Sequence, residues 1–192
     1  MCRALRFLGL PLALVLSCAS TPASELPPYW GFASATASAG KELRMRSGTR
    51  YVQVSIDGDA IYGPNWSLKH GGTYIRGFGP GKVNVQVTLT GTHAEGILKT
   101  APFSVDLQPK GNGVTSVSGL FGGILSQFSI SPAVFHGKLG SCSYDLKFNG
   151  TRYEGSSSCA GGISLTSLEL PAQMAGWTDV EVATVLAIVF GT

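Results

Sequence analysis

The stretch "VNVQVTL", residues 83–89, alternates without a fault: Val83, Val85, Val87 and Leu89 point one way, and Asn84, Gln86 and Thr88 the other. A period of two is what a strand with one buried face requires, because successive side chains leave opposite sides of the backbone. The habit recurs. "YVQVSI" (51–56) places Val52, Val54 and Ile56 on one side, with Asp57-Gly58 as a two-residue turn into "DAIYG", and "FSVDL" (103–107) repeats it. With 26 glycines in 192 residues, turns are frequent, and 44% hydrophobic against 13% charged residues excludes a disordered chain. The length suits one domain with its own core. The expectation is eight to eleven short strands in a single mainly β, antiparallel domain, either a sandwich or a small barrel, over residues 41–192.

The C-terminus departs from this habit. In "WTDVEVATVLAIVFGT" (177–192), Thr178 with Glu181 three residues on is a capping-box pattern, Asp179 and Glu181 suit a positive helix end, and Gly191 closes the run. Val180, Val182, Val185, Ile188 and Val189 favour a strand instead. The expectation is a buried C-terminal helix, with a core strand as the alternative. About 13 residues of this kind do not span a bilayer, which takes roughly 20.

"LTGTHAEG" (89–96) and "FNGTRYEG" (148–155) share a frame. In the second, "CSYDLKF" alternates up to Asn149-Gly150, a pair suited to a type I′ turn, and "TRYEGSSSC" returns; Leu146 would then face Tyr153, and Cys142 would face Ser157, one step from Cys159. The first threads alike with Thr90-Gly91 as its turn and Val87 facing Ala94. Flanking matches extend the likeness to 64–109 and 126–171, as an internal repeat of two related hairpin-containing halves. Glu95 and Glu154 fall at equivalent places after these hairpins. Two such carboxylates are either structural, a partner contact, or a catalytic pair.

Catalytic motifs are scarce. "GFGPGKV" (77–83) has Arg76 where a phosphate loop needs its first Gly and Val83 where it needs Ser or Thr. His70, His93 and His136 are scattered; His93 with Asp106 and a serine is the one arrangement that would form a triad in space. No cofactor, metal or catalytic residue is expected. Trp66 and Trp177 read as core, whereas Trp30 reads as exposed and, with Glu95 and Glu154, as a candidate binding residue.

The first residues carry a different message. Arg3 and Arg6 precede a ten-residue apolar run, Phe7–Leu16, and "VLSCAS" follows, the layout of an export signal over 1–17. Removing it leaves 12 Lys and Arg against 11 Asp and Glu, nearly neutral, with no basic cluster interleaved with aromatics, so nucleic acid is not an expected partner. Cys142 and Cys159 then remain as an isolated pair, for which export makes a disulfide the expected state.

"VLSCAS" resembles the bacterial lipobox, in which a small residue precedes a cysteine that is acylated and becomes the mature N-terminus. The resemblance implies lipidation of Cys18, a flexible Ala/Ser/Pro-rich tether over 18–40, and, with Ala19 following, sorting to the outer membrane, facing periplasm or surface. The alternative is an ordinary signal cut near residues 19–23. The W-S-L segment, the cysteine-linked hairpin around "FNGTRYEG" and the Cys-Ala-Gly-Gly after it resemble small periplasmic β domains of the META-type and lysozyme-inhibitor groups over 64–165. The short Ser-Gly and Lys-Tyr signatures of an inhibitor are missing, so inhibition is not implied. The function expected is a lipid-anchored envelope protein acting as a binding or structural module, held to the membrane by its anchor and meeting an envelope protein or polymer. The rival is a secreted or envelope hydrolase using Glu95 and Glu154 or a His-centred site.

Overall fold

The structure, a computed structural model, describes residues 37–38, 40–111 and 113–191. The export signal, Cys18 and Trp30 lie outside the described residues. Among the described residues, fifteen strands and one α-helix follow in chain order: β1 (Ala37–Ser38), β2 (Glu42–Ser47), β3 (Arg50–Asp57), β4 (Ala60–Gly63), β5 (Trp66–His70), β6 (Tyr74–Gly79), β7 (Val83–Thr90), β8 (His93–Leu98), β9 (Ala101–Gly111), β10 (Val114–Phe121), β11 (Ile124–Ile130), β12 (Val134–Leu139), β13 (Cys142–Phe148), β14 (Tyr153–Cys159), β15 (Gly162–Pro171) and α1 (Asp179–Gly191).

From β2 to β15 each strand pairs antiparallel with the next, and β15 closes on β2 through Thr166 opposite Ser47 to Glu169 opposite Arg44. The result is a closed, 14-stranded up-and-down barrel, with more strands than expected and with both sheet edges consumed by closure. β1 lies parallel beside Leu170 and Pro171, so the end of the stretch read as a tether contributes a short strand. The alternation seen in the sequence becomes inside and outside: Leu43, Met45, Val54, Ile56, Val85, Val87 and Leu146 are buried, while the residues between them face solvent or lie at the surface.

A meander has two ends. We call apical the end with the turns at 48–49, 64–65, 80–82, 99–100, 122–123, 140–141 and 160–161, and basal the other. β15 runs to the basal end, a 3-10 turn (Ala172–Gly176) follows, and α1 then runs from basal to apical. Every residue from Val180 to Phe190 is buried, which is the mark of a helix enclosed on all sides. It occupies the lumen. Phe190 stacks on Phe135 at 5.4 Å and meets Tyr144 edge-on at 4.9 Å, and the aromatic series continues through Phe128 and Phe121 to Phe103.

Three turns sit one or two residues from where the sequence put them. In β13–β14 the loop is 149–152, not Asn149-Gly150 alone: Phe148 faces Tyr153, Leu146 faces Gly155, and Cys142 faces Cys159 directly. The Asn149 side chain causes this, its Oδ1 accepting the N–H groups of Thr151 and Arg152 at 3.0 Å each and so favouring a wider loop. The Cys142–Cys159 disulfide therefore forms with no bulge and closes a separation of 17 residues, worth about 3 kcal/mol in the chain-entropy view. In β7–β8 the turn is Gly91-Thr92, so Val87 faces Gly96, and after β3 it is Gly58-Asp59.

The shift exposes a rule the sequence concealed. Each even strand from β6 to β14 carries an inward glycine directly opposite a buried apolar residue of the preceding strand: Gly77 faces Leu68, Gly96 faces Val87, Gly119 faces Val105, Gly137 faces Phe128, and Gly155 faces Leu146. At Gly96, with φ of 157°, an added Cβ would stand 1.9 Å from the Gln86 carbonyl oxygen. The wall bends there by letting two backbones approach, which a side chain would forbid.

Candidate functional site

The basal entry of α1 is built from the expected capping box. Thr178 N–H and Oγ1 both donate to Glu181 Oε2 at 2.6 and 2.7 Å, and Glu181 N–H donates back to Thr178 Oγ1 at 3.4 Å. The other Glu181 oxygen lies 3.1 Å from His70 Nδ1, at the basal end of β5, whose ring packs on Trp177 with centroids 4.0 Å apart. Burial pushes the Glu181 carboxyl up, but the bonds from His70 and Thr178 outweigh it and hold the group below its ordinary value. An ionised carboxylate only accepts, so Nδ1 carries the proton. Beside it, burial drives the Asp179 carboxyl up to about 6 against a hydrogen bond from Thr115 that lowers it. Asp179 Oδ1 is buried without a partner among the described residues.

At the apical end Arg50 closes the helix. Arg50 donates from Nη1 to the Phe190 carbonyl and from Nη2 to the Val189 carbonyl, both at 3.0 Å, placing a cation at the negative end of the dipole. A depression of about 290 Å³ remains in this mouth, lined by Arg50, Leu98, Phe121, Leu139 and Phe190 among others.

The sequence-predicted carboxylates lie outside. Glu95 on β8 and Glu154 on β14 are six strands apart, roughly 29 Å along the wall at about 4.8 Å per strand. They do not share a cleft, whereas a carboxylate pair in glycoside hydrolysis works at roughly 5–10 Å. Their surroundings also differ. Glu154 pairs with Arg152, accepts from Asn149 Nδ2 at 2.8 Å, and borders an open outer cleft of about 740 Å³ with Arg46, Leu165, Thr166 and Ser167. Glu95 stands by His93, whose Nε2 is 3.6 Å from Glu95 Oε2 and whose Nδ1 is 2.8 Å from Asp106 Oδ1.

That His–Asp contact is the one the sequence singled out, and the hydrogen bond that His93 donates to Asp106 raises the His93 pKa. A triad needs a hydroxyl at Nε2; Glu95 occupies that side instead. His136 lies 3.6 Å from Asp145 on the neighbouring strand, far from the other two. Among the described residues no group of three or more His, Cys, Asp or Glu is placed to hold a metal.

Arg50, His70 and the Asp179–Thr115 contact were not foreseen, because each joins residues 64 to 140 positions apart in the chain. A trace of the exposed apolar residues was available: in "GISLTSLEL" (162–170) the alternation changes phase between Leu165 and Leu168, so one pair must face outward. Ile163 and Leu165 do, at 81% and 86% exposure. No family model, curated protein or solved structure matches this chain.

Proposed function

We propose that this protein is a lipid-anchored module of a bacterial envelope, acylated at Cys18, that acts by binding or as a structural element rather than by catalysis. The observation that carries this reading is α1 inside the barrel. With the lumen filled by packed apolar side chains, recognition falls to the outer wall and the two rims, where an envelope protein or polymer would make contact. The wide separation of Glu95 and Glu154, and the acidic neighbour on His93, favour binding over hydrolysis.

The two related halves belong to the same proposal: β5–β9 and β11–β15 would be copies of one unit. Supporting this, Glu95-Gly96 and Glu154-Gly155 hold equivalent positions, each glycine opposite an inward apolar residue.

Intact mass of the protein from its native membrane, with and without reduction, tests the reading. A chain beginning at Cys18 with added acyl mass, gaining two hydrogens on reduction, is the expected result, and crosslinking in the envelope should then capture a partner. A lipid-free chain beginning after Ala23 would sink the anchor and reopen substrate screening.

A further inference from the structure

The exposed apolar side chains are not scattered over the wall. The large ones are Tyr51, Tyr62, Phe78, Ile97, Leu120, Ile124, Leu125, Ile163 and Leu165. All but Leu165 lie within three residues of an apical turn, and Leu165 is one residue beyond. They come from β3, β4, β6, β8, β10, β11 and β15, so they encircle that end rather than forming a patch on one side.

Charge is divided in the same way. Within those windows of the described chain stand Arg46, Arg50, Lys82, Lys99 and Lys138, and no Asp or Glu. Arg50 is spent on the helix end, whereas Arg46, Lys82, Lys99 and Lys138 are exposed. The basal turns carry both signs, with Asp57, Asp59 and Glu154 near Lys69, Lys147 and Arg152.

We infer that the apical rim docks end-on against an anionic lipid surface, as a second, non-covalent membrane contact separate from acylation of Cys18. A ring of apolar side chains around a barrel end defines a plane, and a bilayer is the planar partner that accepts such a ring while its headgroups meet a border of cations alone. Tyr51 and Tyr62 suit the headgroup level, with an apolar ring and a polar tip. Ile163 and Leu125, each two residues from its turn, enter the acyl boundary, and Leu165, at the depth of Glu95 and Asp145, lies at its edge. Penetration stops at the rim because the wall beyond it is polar, with Arg76, Glu95, Asp106, Asp145 and Lys147 facing outward. The barrel therefore stands on the surface and does not span it.

The full chain carrying Cys18→Ser, exported but unable to take acyl groups, is the protein to use. Sedimentation with vesicles of phosphatidylglycerol and phosphatidylethanolamine should carry it down, and phosphatidylcholine vesicles should do so much less. Lys99→Gln should weaken binding about fivefold, Lys82→Gln/Lys99→Gln more, and added salt should weaken it further. Ile163→Ser/Leu165→Ser should weaken it at least about tenfold, since two exposed aliphatic side chains lose their apolar partner. Lys69→Gln at the basal end should leave it unchanged. All these positions are exposed, so unfolding midpoints should hold. Failure to sediment with any vesicle would overturn the inference, as would binding that ignores the apical substitutions. Finding that Ile163→Ser/Leu165→Ser splits a lipid-free dimer into monomers would also overturn it, and assign the rim to contact between copies.

Discussion

The two ends of α1 are held by different chemistry. At the basal end a carboxylate, an imidazole and a threonine exchange hydrogen bonds in a buried cluster, with Asp179 and Thr115 beside it. At the apical end one guanidinium takes the last carbonyls, and Phe190 is fixed by rings. The difference teaches where the helix is specified and where it is merely filled in. The basal cluster sets register, because hydrogen bonds demand position, while the apical end relies on apolar area that tolerates some sliding.

The largest expected effect tests the apolar end: Phe190→Ala should lower stability by about 3–5 kcal/mol in denaturant unfolding, since a buried aromatic and its ring contacts with Phe135 and Tyr144 are lost. Next, Glu181→Ala should remove about 3 kcal/mol, because it strands His70 and the Thr178 N–H, whereas Glu181→Gln should recover part of the loss. Arg50→Ala should remove about 2 kcal/mol. If Arg50→Ala proves worse than Glu181→Ala in the same unfolding series, the ranking of the two polar anchors reverses.

Smaller effects follow pH. Asp179 has a folded pKa near 6, above its ordinary value of 3.8, so the native state holds the extra proton between them and stability falls as pH rises through that window. Asp179→Asn should therefore raise stability at pH 7 by on the order of 1 kcal/mol, a gain that vanishes below about pH 4. Glu181 has the opposite sign: its folded pKa is lowered, so its contribution is present above its ordinary 4.5 and is lost as pH falls through the folded value. Thermal melts of the two variants from pH 3 to 7 should separate these slopes. Least of all, Asp106→Asn should move the His93 titration, followed by NMR, toward its ordinary value with little change in stability, because the pair lies at the surface.

Local chemistry made part of this legible. Alternation in "VNVQVTL" gave the strand and its buried face, and Thr178 with Glu181 gave the helix start, because both depend on neighbours in the chain. The turn around Asn149 was misplaced since the side chain rather than the Asn-Gly pair decides the loop. Closure was hidden, for nothing local says that Thr166 will lie opposite Ser47. Gly96 and Gly155 read as strand residues after their hairpins; only the register shows that they lie opposite Val87 and Leu146. The outward carboxylates, Glu95 and Glu154, were visible as equivalents, but whether six strands or a cleft would separate them was not.

The lumen-filling helix also orders events in time. α1 lies C-terminal to every strand, and the wall closes through β2 and β15, contacts about 120 residues apart. A chain emerging N-terminus first can form hairpins as it goes, yet neither its seam nor its core exists until the final segment arrives. Until α1 is present the chain therefore holds no finished barrel, and folding is completed as a single late event.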